Sequence, residues 1–305
     1  PTRGKFIEES PATIDLDEEI QKFLSQDKRV LLLLGDSGTG KSTYARFLEY
    51  SLWSKWEEGA PIPLLLSLPR FKDHLDQLIE HHFQTMGFTL DDIRTLCSSQ
   101  RLLFILDGYD ELNQRSNLYS RCGLARFPAK AIVTCRTQYL HLLPGNYEEC
   151  FAPIRADLPD LAKLQKLYVA SFDTSQVDDY LRKYVAQEES PWGFDDFKHH
   201  IELIPGLANL LQHPFVLRLL VSVLPHHIAK YAVRREEEKL RLTLWDLYET
   251  FTTQWFTKEK LRLERQRRLE ERHTDIKAEF FLFAQELATE MFNHQVTEIS
   301  YEPGN

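Results

Sequence analysis

The sequence predicts an α/β fold: a three-layer unit on a largely parallel sheet, followed by an all-helical region. Three observations predict it. Short, continuous apolar runs alternate with helical periods up to residue 172, the order of a sheet whose strands are joined by crossover helices. The runs do not alternate apolar with polar residues, so they read as strands covered on both faces. Beyond residue 172 the helical periods follow one another with no strand between them. With 43% hydrophobic residues in 305, the chain can bury a sizeable core.

Asp15 to Leu24 reads as a short helix, and RVLLLLG (29–35) as the first buried strand. Lys41 to Ser54 is helical, with Tyr44, Phe47, Leu48 and Leu52 along one side. PIPLLLSL (61–68) is the second strand, followed by helices over Lys72 to Met86 and Leu90 to Ser98. LLFILD (102–107) is the third strand, Asn117 to Phe127 a helix, AIVTC (131–135) the fourth strand, and Leu167 to Ala170 a short fifth. Val177 to Val185, Phe194 to Leu203 and Leu207 to Leu224 then read as helices. The stretch 241–293 is also helical in period, with Leu244, Tyr248, Phe251 and Trp255 recurring once per turn. Its charged middle, KEKLRLERQRRLEER (258–272), reads as a solvated helix face. The expected organisation is residues 1–172, 173–233 and 234–305.

Charge and composition exclude several classes. A formal net charge of −9 argues against broad, charge-driven nucleic-acid binding. The apolar runs fall far short of the roughly 18 residues of a membrane span, and no signal peptide is visible. Cys97, Cys122, Cys135 and Cys150 lack CxxC spacing and are expected to be reduced thiols of a cytoplasmic protein. The pairs His81-His82, His199-His200 and His226-His227 have no Cys or carboxylate cluster to complete a zinc site. The chain opens Pro1-Thr2 without Met and is expected to be part of something larger.

Directly after the first strand comes GDSGTGKS (35–42), which matches G-x-x-x-x-G-K-[ST]. A loop that wraps a phosphate must point successive N–H groups inward, and Gly35, Gly38 and Gly40 remove side chains that would block that approach. The following helix presents its N-terminus to the anion. Lys41 supplies a point charge to the β- and γ-phosphates, and the Ser42 hydroxyl is placed to ligate Mg2+. The candidate nucleotide-binding loop is therefore Gly35, Asp36, Ser37, Gly38, Thr39, Gly40, Lys41, Ser42 and Thr43.

The third strand runs into LDGYDEL, with three carboxylates in five positions. Like charges that close repel one another unless a cation or charged ligand is shared among them. A phosphate loop brings Mg2+, and Asp107 fits the acid that holds a metal-bound water. Asp110 or Glu111 can then orient or deprotonate the attacking water, because Gly108 lets the chain turn back at the strand end.

This D-G-x-D-E arrangement resembles that of NACHT domains, the signal-transduction NTPases of innate-immune receptors and their microbial relatives. AIVTCR (131–136) resembles the family's sensor strand, which implies that Arg136 reaches the γ-phosphate. LLQHPFVLRLLV (210–221) resembles its helical-domain motif, which implies that Pro214 packs on adenine; Gln212 stands where the family often has Gly. LTLWDLYETFTTQWF (242–256) and FLFAQELATEMF (281–292) resemble the segments that follow, the second like the start of a winged helix. The resemblance implies ATP or ADP with Mg2+, slow hydrolysis, a nucleotide-controlled switch that self-associates on activation, and effector and sensor domains outside this chain.

Three other readings share parts of this pattern. An ATP-driven AAA-type motor has the same phosphate loop but carries an acid at the position of Gly108. A P-loop kinase needs an acceptor pocket and an arginine-bearing lid, and no lid motif is visible. A scaffold that holds nucleotide without hydrolysing it is the non-enzymatic alternative.

Overall fold

The computed structural model describes residues 2–6, 12–71, 75–112, 117–141, 143, 145–187, 190–204, 207–231, 246, 249–253, 256–257, 260 and 276–294. The chain divides into two compact units, Pro1–Val177 with Gln212–Val216, and Asp178–Leu211 with Leu217–Asn305. The expected helical stretches around Leu244, Tyr248 and Trp255, and the 258–272 run apart from Lys260, lie outside the described residues.

The first unit opens with two short strands, β1 (Arg3–Lys5) and β2 (Ile14–Asp15), then helix α1 (Leu16–Ser25). Asp15 caps α1, its carboxylate accepting from the N–H groups of Asp17 and Glu18 at 2.8 and 3.1 Å. Such a cap contributes about 1 kcal/mol. Asp15→Ala is expected to lower stability by roughly that much in urea titration, with the m-value unchanged.

Strand β3 (Val30–Gly35) leads into α2 (Lys41–Ser54), then β4 (Ile62–Ser67). Of the helix expected over Lys72 to Met86, residues 72–74 lie outside the described residues, and a 3₁₀ turn (Leu75–Gln77) runs into α3 (Leu78–Thr85); α4 (Leu90–Ser99) begins with a Thr89–Asp92 capping box. Strand β5 (Leu102–Asp107) follows. The helix expected over Asn117 to Phe127 is only α5 (Leu118–Arg121) and a 3₁₀ turn, because Gly123 turns the chain at φ 61°. Then come β6 (Ala129–Arg136), α6 (Thr137–Leu140) and a hairpin of β7 (Ile154–Arg155) and β8 (Leu158–Pro159). Ala156 and Asp157 make its two-residue turn with both φ values positive, as the twist of a tight hairpin requires. Strand β9 (Leu164–Val169) is longer than the expected fifth strand and starts earlier.

The sheet runs β2-β1-β9-β3-β6-β5-β4, parallel from β9 to β4, with β1 and β2 antiparallel at one edge. Sequence periodicity gave no sign of β1 and β2, which are too short to carry a pattern. Alternate residues of β3 feed two cores. Leu32 and Leu34 join Leu66, Phe104, Leu106 and Val133 on one face, while Leu31 and Leu33 join Ile20, Phe23, Leu48, Ile105 and Ile132 on the other. Each such side chain, taken out of water, favours the fold by about 1.5–3 kcal/mol. This is the three-layer arrangement that continuous apolar strands require.

The second unit is helical among its described residues. It holds most of α7 (Thr174–Gln187), then α8 (Phe194–Leu203), α9 (Leu207–Leu210), the body of α10 (Pro214–Tyr231) and α11 (Ile276–Asn293). Phe197 is fully buried beneath Tyr184 and Trp192, whose rings meet it edge-on at 6.1 and 5.3 Å. The single helix expected from Leu207 to Leu224 is broken at Leu211 to His213 and restarts at Pro214. Proline lacks the N–H that a helix interior needs, but is well suited to a first turn. The segment FLFAQELATEMF lies within α11. No helix among the described residues is long and apolar enough to cross a membrane.

Candidate functional site

Strand order brings the candidate residues together. β6 lies between β3 and β5, so the loop after β3 and the acids after β5 flank the end of β6. In register Gly35 pairs with Arg136, and Leu106 with Val133, which puts Asp107 beside Thr134. Crevices at the carboxyl ends of parallel strands, where strand order reverses, are where open α/β sheets bind ligands.

The loop between β3 and α2 has the backbone of a phosphate cradle. Gly38 and Gly40 take φ values of 79° and 94°, a region that side chains rarely adopt. A Cβ at Gly35 would come within 2.9 Å of the Thr39 hydroxyl, which itself donates to the Asp36 carbonyl at 2.9 Å. The first backbone bond into α2 is Tyr44 N–H to Gly40 carbonyl, 2.8 Å. The N–H groups of Lys41, Ser42 and Thr43 therefore precede any intrahelical acceptor and are available to an anion. Ser37, Ser42 and Thr43 are exposed, whereas Lys41 is buried.

The Lys41 ammonium donates to the carbonyls of Gly35 and Asp36 at 2.7 and 2.9 Å. Burial holds it below the usual lysine range. The carboxylate of Asp110 opposes that shift, and the Arg136 guanidinium adds to it. Lys41, Asp110 and Arg136 thus share one electrostatic environment.

Asp107 sits at the end of β5 with its Oδ1 accepting two hydroxyls, Ser42 Oγ at 3.1 Å and Thr134 Oγ1 at 2.6 Å. Thr134 in turn accepts the Gly108 N–H at 2.9 Å. A serine hydroxyl beside a carboxylate is a hard-oxygen donor set, the kind that suits Mg2+ together with phosphate oxygens and water. Among the described residues no group of three or more His, Cys, Asp or Glu is arranged to hold a metal alone. Gly108 turns at φ 90°, and a Cβ there would meet Pro69 at 3.2 Å. An acid at this position, as in AAA-type motors, would be strained in the backbone conformation this chain adopts.

After Gly108 a 3₁₀ turn (Tyr109–Glu111) is anchored by Tyr109, which is fully buried against Phe151 with ring centroids 4.5 Å apart. The turn sends its two acids to different environments. Asp110 accepts the Arg136 backbone N–H at 3.0 Å on Oδ1, and its Oδ2 forms an ion pair with the Arg136 Nε at 2.8 Å. Its side chain is 7% exposed, against 47% for that of Arg136. Glu111 is exposed. Pro214 opens α10, and the Phe215 N–H donates to the Gly38 carbonyl at 3.2 Å, which brings this proline's segment against the phosphate loop.

Sequence reasoning missed three participants. Thr134 carries a signal that could have found it, a buried polar residue in an otherwise apolar strand. Gln138, which donates to the Asp36 carboxylate at 2.5 Å, and Phe215 carry none.

Comparison with known proteins agrees with this geometry. A model of the NACHT domain matches residues 29–188, more than half of the 305-residue chain. No curated protein matches it significantly. Among solved structures, the chain is similar to the Walker-type ATPase of Pyrococcus abyssi, with 14% identity over 82% of this chain and 74% of that one, TM-score 0.44. The Aeropyrum pernix ORC2 protein in ADPNP and ADP complexes gives 13%, 82%, 72% and 0.46. The Thermotoga maritima RuvB Holliday junction branch migration motor gives 12%, 83%, 78% and 0.36. Likenesses this distant add nothing to the assignment, which rests on the family model together with the sheet and its phosphate loop. The fold is that of a P-loop NTPase, and the chain belongs to the NACHT-domain family.

Proposed function

We propose that this chain is the nucleotide-binding and oligomerisation region of a switch protein that takes ATP or ADP with Mg2+ and hydrolyses ATP slowly. The observation that carries the reading is the grouping of Lys41, Ser42, Asp107, Asp110 and Arg136 at the ends of three adjacent parallel strands. Gly35 to Thr43 wrap the phosphates, with Lys41 as their point charge. Ser42 and Asp107 hold the metal. Asp110 or Glu111 positions water, Arg136 reads the γ-phosphate, and Pro214 packs on adenine, supported by its place next to the loop at Gly38. The organisation is a phosphate-loop domain (1–172), a helical domain (173–233) and a linker with the start of a winged helix (234–305), in a cytoplasmic protein whose sensor and effector domains lie elsewhere. Exchange of ADP for ATP favours a form that self-associates.

A scaffold that never hydrolyses would use the same binding residues. Single-turnover hydrolysis separates the two, because only the switch enzyme releases phosphate from a stoichiometric ATP complex. Binding itself is tested by melting the chain with ADP, ATP, GDP and GTP, each with and without Mg2+. A bound nucleotide at about 100 times its dissociation constant stabilises the fold by roughly 2.7 kcal/mol. The expected result is a shift of that size with the adenine nucleotides and Mg2+, and a smaller one with guanine. No shift with any nucleotide overturns the reading.

A further inference from the structure

The three carboxylates after β5 are held in three different ways. Asp107 is fixed by hydroxyls from Ser42 and Thr134. Glu111 is exposed, and its carboxylate makes no hydrogen bond among the described residues. Asp110 has both oxygens against one residue, Arg136: Oδ1 accepts its backbone N–H and Oδ2 is ion-paired with its Nε. A carboxylate occupied on both oxygens and 7% exposed is poorly placed to take a proton from water.

The arginine end of the contact is equally informative. The ion pair with Asp110 is at Nε, 2.8 Å from Oδ2, and the two terminal NH2 groups make no hydrogen bond among the described residues. A guanidinium has five N–H donors in a fixed plane, so gripping it at Nε sets the direction of the other four. The backbone bond pins the base of the same side chain, at the N-cap of α6. Held at both ends, Arg136 loses little further rotamer freedom when it meets an anion. Arg136 pairs in the sheet with Gly35, the first residue of the phosphate loop, and its guanidinium acts electrostatically on the Lys41 ammonium, so the charge lies beside that loop.

We propose that Asp110 is a positioning residue that aims Arg136 at the γ-phosphate, and so sets the preference for ATP over ADP, rather than the group that orients water. The proposal rests on the reading of Arg136 as the γ-phosphate contact. Asp110→Asn tests it, because the amide is isosteric. Its Oδ1 can still accept the backbone N–H, but its NH2 faces the Arg136 Nε donor to donor and the grip is lost.

The experiment is calorimetric binding of ADP and of a slowly hydrolysed ATP analogue, with Mg2+, to the parent chain, Asp110→Asn, Arg136→Ala and the double variant. Melting without nucleotide confirms that each is folded. Arg136→Ala is expected to leave ADP affinity within about twofold and to lower the ATP-analogue preference about tenfold or more, the size of one charge-assisted hydrogen bond. Asp110→Asn is expected to lower the preference by about fivefold or more. Because Asp110 acts through Arg136, it should add less than about twofold in the Arg136→Ala background, as a coupled pair requires. A merely structural role for Asp110 would weaken ADP and the ATP analogue alike, and that result overturns the proposal. So does an Asp110→Asn effect that persists undiminished without Arg136. If Arg136→Ala itself leaves the preference unchanged, the γ-phosphate reading of Arg136 falls and this proposal falls with it. A changed preference in Arg136→Ala with none in Asp110→Asn overturns the proposal alone.

Discussion

Lys41→Ala is expected to abolish the stabilisation that nucleotide confers, with affinity falling about 100-fold or more. The lysine ammonium is buried and already desolvated, and its donors are turned onto the carbonyls of Gly35 and Asp36. A phosphate that entered the cradle would meet a cation that has already lost its water, in surroundings where charge is weakly screened. Each charge-assisted hydrogen bond in such a place is worth about 1.5–3 kcal/mol, and two of them correspond to the stated loss. The same side chain also ties the loop to itself, so alanine removes two internal bonds along with the ligand contact. Lys41→Met keeps the stem and removes only the charge, which separates the two effects. Both variants should melt cooperatively without nucleotide, and neither should shift when ADP and Mg2+ are added. An undiminished shift in Lys41→Met would mean that the nucleotide binds elsewhere.

The cradle was legible because its chemistry is local. Gly35 to Ser42 is one continuous segment, and the strand before and helix after it are long enough to show their periods. The grouping of Asp107, Asp110 and Arg136 depended on something the sequence does not display, the insertion of β6 between β3 and β5. Sheet order is decided by crossover packing, and residues 107 and 134 become neighbours only through it. Boundaries failed where one residue overrode a periodic pattern. Gly123 ends α5 at its fourth residue, and Pro214 restarts a helix that apolar spacing alone would have run through. The edge strands β1 and β2 were invisible for another reason, since three residues and two residues are too few for a period. Glycine at 108 reads in the sequence as a means to turn the chain, and its φ of 90° is that turn.

Glu111→Gln is expected to slow single-turnover ATP hydrolysis by about 100-fold or more while leaving nucleotide affinity within about twofold. The argument is one of elimination among three acids with different surroundings. Asp107 is committed to the hydroxyls of Ser42 and Thr134, and its replacement by Asn should weaken Mg2+-dependent binding before any effect on rate can be read. Asp110 is committed to Arg136. Glu111 shares the same 3₁₀ turn, with its carboxyl carbon 3.7 Å from where a Cβ of Gly108 would stand, so it lies beside the turn that follows Asp107. Glu111 is exposed, within reach of water from which to take a proton and of solvent to which to return it. Glutamine keeps the length and the hydrogen-bonding capacity but cannot accept the proton, so binding should survive and the chemical step should not. Rapid-quench measurement of a stoichiometric ATP complex reads that step without interference from product release. A parental rate in Glu111→Gln would remove this residue from the mechanism. A parental rate there, together with a large loss in Asp110→Asn that persists in the absence of Arg136, would assign the water to Asp110 instead.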